Sequence, residues 1–486
     1  MSKSFSISRC SLLLPFIITG FLSFSQTCVC EKELAFTQDY MEANYVGYKD
    51  KVTEKNRQEY EKLKQELLRE AQNVKGNAFC LILINKYLAF FKDRHIQLSG
   101  REKELSEKDT AAVRAVLSNT EKIEITPEAL KTLKAKPATE IEGVYNYSSG
   151  NYKIAIIKSK TATRDYAGIV LKARNGLWKP AMVKFEMKQA NDSVFDVVSY
   201  NKFHTPLVAT YTLSAGILKP EDFAKEGVKT PKEPEDNEFF EREEMKGKFV
   251  FAKPLNDSTN YIRIRSFDPA FAHTIDSVVK ANDALLRSKP YLVLDLRYNG
   301  GGSDGSFSPL LPYIYTNPVR SVGVDIYCTP ANVVAQQRLM KDYASYFTEE
   351  DKKEMNELIK RMEENNGKLI SSADDGTDTL KEILAYPRKI AVVINEGCAS
   401  TTEEFLLWAR QSKKVVLMGR HTAGVLDYSN VRQVDFSCLG YTLGYPTTRS
   451  RRIPDGAIDN IGIQPNLLVT FDKNWLKKVT AAVSAK

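Results

Sequence analysis

Apolar residues fall into three rhythms along the chain. Over residues 36–92 they recur at helical spacing. Leu63, Leu67, Leu68 and Ala71 share one face of a charged segment, and Phe79 to Phe91 is an almost continuous apolar helix. Residues 101–138 continue as mixed helix, interrupted at Pro127 and Pro137. From Ile141 the rhythm shortens. Val144–Tyr147, Tyr152–Ile157 and Ala181–Phe185 read as short strands, with Ser-Ser-Gly and Asn-Gly turns between strands, which predicts a small antiparallel β unit. Beyond it, residues 219–247 are dominated by Lys, Glu and Pro and read as a solvated linker. Strands and helices then alternate: Tyr261–Phe267, His273–Arg287, Tyr291–Leu296, a helical insertion near 335–366, Lys389–Ile394, Thr402–Gln411 and Lys414–Met418. That alternation predicts an α/β fold on a parallel or mixed sheet. The chain divides into 1–25, a helical domain 26–138, a small antiparallel β domain 139–218, a linker 219–250 and an α/β domain 251–486. No internal repeat is present.

The first segment differs from all of these. Lys3 and Arg9 precede an apolar stretch, Ser11 to Phe24, that ends in the small-residue site Ser23-Phe24-Ser25. This is the order of a secretory signal peptide cleaved near Ser25–Gln26, and it predicts an exported protein, periplasmic or secreted. The apolar run is short for a membrane span, so no integral span is expected once the leader is removed. The formal charge of +8 falls by two with Lys3 and Arg9, and the remaining excess is dispersed, without the basic stripe of a nucleic-acid binder. Six cysteines remain after the leader: Cys28, Cys30, Cys80, Cys328, Cys398 and Cys438. They are too few for a disulfide scaffold in so long a chain. Cys28-Val29-Cys30 lacks metal-ligand spacing and has no His/Cys cluster beside it, so neither a metal nor another cofactor is expected.

Two stretches concentrate chemical potential. Tyr291–Leu296 is a strand apolar on both faces that breaks at Asn299 into Gly300, Gly301 and Gly302. Three glycines free the backbone from Cβ restrictions and leave N–H groups able to face an anion or a carbonyl oxygen, although a plain turn has the same composition. The second is Ile390-Ala391-Val392-Val393-Ile394-Asn395-Glu396-Gly397-Cys398-Ala399-Ser400-Thr401-Thr402-Glu403. A buried strand stops at Asn395 and a helix starts near Ser400. A serine there can project its hydroxyl into a cleft where the helix N-terminus faces a developing oxyanion. Ser400-x-x-Glu403 is also a capping box, a purely structural use of the same residues. A serine nucleophile needs a base, and the chain has four histidines: His95, His204, His273 and His421. His95, after the apolar helix, and His421, just beyond the strand Lys414–Met418, are the candidates. Asp459 offers a carboxylate to orient the base.

These stretches carry a resemblance. Asp295-Leu296-Arg297-Tyr298-Asn299-Gly300-Gly301-Gly302, Asn395 to Glu403, Gly419 to Gly424 and Gly462-Ile463-Gln464-Pro465 occur in the order seen in the S41 serine peptidases. That family comprises the tail-specific or C-terminal processing peptidases and their tricorn-core relatives. The resemblance covers about 255–473 and extends to Asp93-Arg94-His95. It implies a ClpP/crotonase-like α/β catalytic domain, with Ser400 as nucleophile and the N–H groups of Thr401 and Gly301 as oxyanion donors. Gly300 and Gly302 would lie against the substrate. The processing branch activates its serine with a lysine after the Thr-x-Gly turn, but Val425 stands there. The tricorn-like branch uses a histidine from an Asp-x-His segment and an acidic residue upstream of Gly-x-x-Pro, positions held here by His95 and Asp459. No PDZ pattern appears between residues 130 and 250.

The expectation is an exported serine endopeptidase that cuts peptides or proteins by acyl transfer through Ser400, with His95 as general base. A peptide-binding protein that keeps the fold without catalysis is the alternative, motivated by Val425, Thr401 and Thr402. A crotonase-like acyl-thioester enzyme is a third. Arg449, Arg451 and Arg452 form a basic cluster that reads as a solvated face.

Overall fold

The apolar runs at the centre of the α/β region line up as neighbours in one sheet. In the computed structural model, Tyr291–Asp295 pairs in parallel with Thr259–Ile264 on one side and with Lys389–Ile394 on the other. Val415–Gly419 and Leu467–Leu468 extend the sheet in parallel, and Val250–Pro254 adds an antiparallel edge. The structure describes residues 29–74, 77–100, 106, 108–147, 150–161, 164–219, 223–228, 248–436, 438–472 and 474–485. The expected leader 1–25, Cys28 and residues 229–247 of the charged stretch lie outside them.

Runs apolar on both faces are needed because helices cover both sides of this sheet. On one face Ile262, Leu294 and Val392 pack with Ile275 from the helix Pro269–Ala281 and with Phe405 and Leu406 from the helix Thr401–Ala409. On the other face Tyr261, Val293 and Val393 pack with Trp475, Val479 and Val483 from the helix Trp475–Ser484. The parallel strands end together, which puts the turns after Asp295 and Ile394 side by side, where open α/β sheets hold their ligands.

A second sheet is antiparallel. Tyr441–Ser450 pairs with Tyr428–Asp435 along one edge, and with Gln97–Gly100 and Val324–Tyr327 along the other; Leu369–Ala373 completes it. The short strand Gln97–Gly100 carries the residues just after His95 into the C-terminal half of the chain. The helical insertion is a pair of helices, Pro330–Asp342 and Glu349–Glu364, and it starts earlier than the apolar rhythm suggests because Thr329 caps the first of them.

The expected helical domain 26–138 separates into two parts. Helices Cys30–Asn44, Arg57–Ala71 and Asn77–Ala89 share one core with Tyr428, Phe436, Tyr441 and Tyr445 from the antiparallel hairpin. A disulfide, Cys30–Cys80, joins the first of these helices to the third, and Cys438 is also disulfide-bonded. Thr110–Asn119 and Pro127–Lys134 instead pack on the β unit, through Val113 and Leu117 against Trp178 and through Leu133 against Val144.

That β unit is a closed antiparallel barrel of eight strands, from Gly143–Tyr147 to Phe223–Lys225. Closure pairs Tyr145 with Lys225 and Tyr147 with Phe223. The closing strand therefore comes from the stretch that composition assigns to the linker, because its three residues Phe223-Ala224-Lys225 are all buried among charged neighbours. The strand expected at Ala181–Phe185 runs from Val183 to Gln189. Among the described residues, no helix is long and apolar enough to cross a membrane, and no cluster of three or more His, Cys, Asp or Glu side chains could hold a metal ion.

Candidate active site

The strand end at Asp295 is held by a buried ionic network. Asp295 Oδ2 accepts from Tyr261 Oη, Arg263 Nη1 and Arg297 Nη2, each at 2.8 Å, and Oδ1 accepts from Arg297 Nε at 2.9 Å. Burial by itself would raise the Asp295 pKa; the two guanidiniums reverse that and hold it below the usual carboxylate range. Arg297 in turn lies over Trp475, 3.8 Å from its ring centroid. The two arginines thus anchor the base of the glycine turn.

Two asparagines shape the turns themselves. Asn395 Oδ1 accepts the N–H groups of Tyr298 (2.9 Å) and Gly397 (3.1 Å), tying the two strand ends together. Asn299 is fully buried. Its Oδ1 accepts Gly301 N–H at 3.1 Å, and its carbonyl accepts the Thr402 hydroxyl at 2.9 Å. The Gly301 N–H is therefore committed inside the turn, which corrects its expected role as an oxyanion donor. Among the described residues the N–H groups of Gly300, Gly302 and Thr401 have no acceptor. Gly301 contributes its missing side chain instead. With φ +100°, a Cβ there would fall 2.9 Å from Thr401 N and 2.9 Å from Ser400 Cβ. Only glycine leaves that space open and adopts that conformation without strain.

Ser400 stands at the head of the helix Thr401–Ala409 with φ 54° and ψ −123°, a conformation non-glycine residues rarely adopt. Its N–H is held by Val425 O at 3.1 Å and Glu403 Oε2 at 3.2 Å. Glu403 is wholly buried, and its carboxylate also accepts Gly424 N–H (2.7 Å), Val425 N–H (2.8 Å) and the Thr422 hydroxyl. The residue that the sequence offers as a helix cap thus fastens the 422–425 turn to the strained serine. The neighbouring Cys398 is a poor nucleophile, since burial pushes its thiol up to about 12.

The Ser400 hydroxyl meets His95, with Nε2 3.2 Å from Oγ. The other ring nitrogen, Nδ1, lies 2.6 Å from the carbonyl of Tyr428. A carbonyl only accepts, so Nδ1 carries the proton and the Nε2 lone pair faces the serine. The loop that delivers the ring is secured at each residue. Lys92 O accepts from Asn460 Nδ2 (2.8 Å), and Arg94 Nη1 donates to Ala423 O (3.1 Å). Asp93 accepts His95 N–H (2.9 Å) and the buried Tyr45 hydroxyl (2.7 Å). Burial raises the Asp93 pKa against those two hydrogen bonds.

Among the described residues, the side chains of the remaining expected residues make no hydrogen bond to the Ser400 hydroxyl or the His95 ring. Among the described residues no hydrogen bond joins Asp459 to His95, so the expectation that Asp459 orients the ring is corrected: the Tyr428 carbonyl occupies that place. Asp459 Oδ1 accepts the N–H groups of Leu426 (2.7 Å) and Asp427 (2.8 Å), while Asp427 Oδ2 accepts those of Ile458 and Asp459 (2.8 Å each). The two aspartates clamp their segments together reciprocally. His421 is exposed, with Nδ1 on Thr422 O at 2.8 Å, and it makes no bond to Ser400. Val425 is buried, and its apolar side chain offers no base. Of the groups that complete the site, Tyr45 and the Tyr428 carbonyl have no motif that announces them; Glu403 was visible only as a capping residue.

Residues 258–469 match the family model of Peptidase family S41, and the domain they form belongs to that family, as the four ordered motifs suggest. The chain is similar to several solved structures. Mature CPAF complexed with lactacystin is 12% identical over 94% of this chain and 97% of that one, with a TM-score of 0.47. The photosystem II D1 C-terminal processing protease is 13% identical over 94% and 98%, with a TM-score of 0.37. The tricorn protease is 13% identical over 94% of this chain and 37% of that one, with a TM-score of 0.38. No curated protein matches the chain.

Proposed function

We propose that this protein is an exported serine endopeptidase in which Ser400 is the nucleophile and His95 the general base. The observation that carries the reading is the 3.2 Å approach of His95 Nε2 to Ser400 Oγ, between residues 305 positions apart. Nε2 takes the hydroxyl proton as Oγ attacks the scissile carbonyl, and the imidazolium then protonates the leaving amine. Its Nδ1–H stays on the Tyr428 carbonyl throughout, so the ring keeps its orientation. The tetrahedral oxyanion enters the space in front of Thr401 N–H, with Gly300 or Gly302 as second donor. One such donor is worth on the order of 3 kcal/mol of transition-state stabilisation. Water then attacks the acyl-enzyme by the same proton route in reverse. The sheet and its paired turns are compatible with a ClpP/crotonase-like arrangement. The Cys30–Cys80 bridge supports export, since such bonds persist in oxidising compartments.

The test is covalent labelling with a fluorophosphonate, followed by turnover of a fluorogenic peptide library by Ser400→Ala and His95→Ala. Labelling at Ser400 and losses of at least about a hundredfold in both variants are expected. Variants that turn over peptide like an active parent would overturn the assignment of Ser400 and His95, and a parent with neither labelling nor turnover would be a cleft that holds peptides without cutting them.

A further inference from the structure

We propose that the open end of the eight-stranded barrel binds a small organic anion, a carboxylate carried on an aromatic or aliphatic body. The barrel is not filled at this end. A cavity of about 510 Å³ opens where Gly143–Tyr147, Tyr166–Ala173 and Val194–Tyr200 finish and Tyr152–Lys158, Val183–Gln189 and Pro206–Ser214 begin. Small barrels either plug such an end with side chains or hold a ligand there.

The walls are aromatic. Phe185 and Phe223 are buried and meet edge-on at 5.1 Å between centroids, and Tyr147 lies 4.8 Å from Phe223. The charged groups that join them are all cationic. Arg174, Lys184 and Lys202 line the cavity, and among the described residues no carboxylate does. Lys184 is buried, with Nζ 4.4 Å from the ring centroids of both Tyr152 and Trp178 and donating to the Tyr200 carbonyl, so its positive charge is fixed beneath the cavity. The Arg174 guanidinium is exposed and has no ion-pair or hydrogen-bond partner among the described residues. Its planar fork of donors suits a carboxylate. A concave, low-dielectric wall focuses such a field, while the rings take up the apolar body. Neither Ser400 nor His95 lines this cavity, whose lining residues fall between 147 and 223, outside the segment 258–469.

Calorimetric titration of the whole protein with 3-phenylpropionate, N-acetylphenylalanine, 3-phenylpropionamide and inorganic phosphate tests the assignment. Both acids are expected to bind at one site, with the neutral amide and phosphate each at least about tenfold weaker. The tighter of the two acids shows whether the natural ligand is a peptide chain end or a free organic acid. Arg174→Gln and Lys202→Gln, both at exposed positions, are expected to weaken the acids by about tenfold each with the circular dichroism spectrum unchanged. The proposal is overturned if acid and amide bind equally, if phosphate alone binds as tightly, if both variants bind like the parent, or if no heat appears at roughly 10 mM ligand.

Discussion

The carbonyl of Tyr428 accepts a 2.6 Å hydrogen bond from Nδ1 of His95, and it is the first residue of the strand Tyr428–Asp435. The imidazole is therefore oriented by the sheet backbone and not by a carboxylate. A carboxylate does enter one step back, where Asp93 holds the backbone N–H of His95 and is itself held by Tyr45. Tyr45 also packs on Phe91 and Tyr428, at 5.3 and 6.0 Å between ring centroids.

Removing the Tyr45 hydroxyl tests that relay. Tyr45→Phe keeps the ring contacts and leaves one oxygen of a buried carboxylate without its donor, at a cost of about 1–3 kcal/mol in urea unfolding. If the relay positions the base, kcat falls by about tenfold to a hundredfold while KM changes little. A drop in stability with kcat unchanged would show that Tyr45 only packs.

Gly301→Ala tests the oxyanion space. The added methyl would sit 2.9 Å from Thr401 N, 2.7 Å from Ala399 O and 2.9 Å from Ser400 Cβ, on a backbone with φ +100°. Turnover is expected to fall by about a hundredfold to a thousandfold. Fluorophosphonate labelling should slow in parallel, since its tetrahedral adduct uses the same space.

Much of the frame around Ser400 was legible because it rests on local rules. Apolar runs ended by Asn and Gly mark Tyr291–Asp295 and Lys389–Ile394, and a serine after small residues marks the helix start at Thr401. The long-range partners had no such signature. A backbone carbonyl such as that of Tyr428 is chemically the same at every position. The pairing of Cys30 with Cys80 is one of several connectivities that six cysteines allow. Barrel closure depends on a three-residue strand, Phe223–Lys225, set in a charged stretch where periodicity cannot be measured. The split of the helices between two cores follows from which apolar faces meet, and helical spacing does not encode that. Glu403 shows the same limit from the other side: its spacing from Ser400 spells a cap, while its four hydrogen-bond donors reveal a brace.

The disulfide makes a prediction about stability. Cys30 and Cys80 are 50 positions apart and enclose Tyr45 and two of the helices that support the His95 loop. Closing a loop of that length removes denatured-state entropy worth on the order of 4 kcal/mol. The double variant Cys30→Ser/Cys80→Ser is expected to lose about 2–4 kcal/mol in urea unfolding, measured without reductant so that the bond at Cys438 stays intact. Reductant should then lower the parent toward the variant while moving the variant less.

Asp459 gives the pH prediction. Burial pushes its carboxyl up to about 7, and the nearby charges of Asp427 and Asp93 add to that, against the N–H groups of Asp427 and Leu426. A carboxyl whose pKa is higher folded than unfolded favours the folded state when protonated. That contribution is complete below about pH 4, the unfolded value, and is lost as pH rises through 7. After allowance for partial exposure to solvent it amounts to about 2 kcal/mol. Asn is neutral at every pH and keeps an acceptor for Leu426 and Asp427, so Asp459→Asn should flatten this slope and match or exceed the parent's stability above pH 7. Its kcat at pH 6 is expected within about tenfold of the parent, because the carboxyl makes no hydrogen bond to His95. A carboxylate that held the imidazole would cost about ten-thousandfold when replaced in this way. Kinetics and urea melts at pH 5, 6, 7 and 8 therefore separate an aspartate that braces the site from one that takes part in the proton transfer.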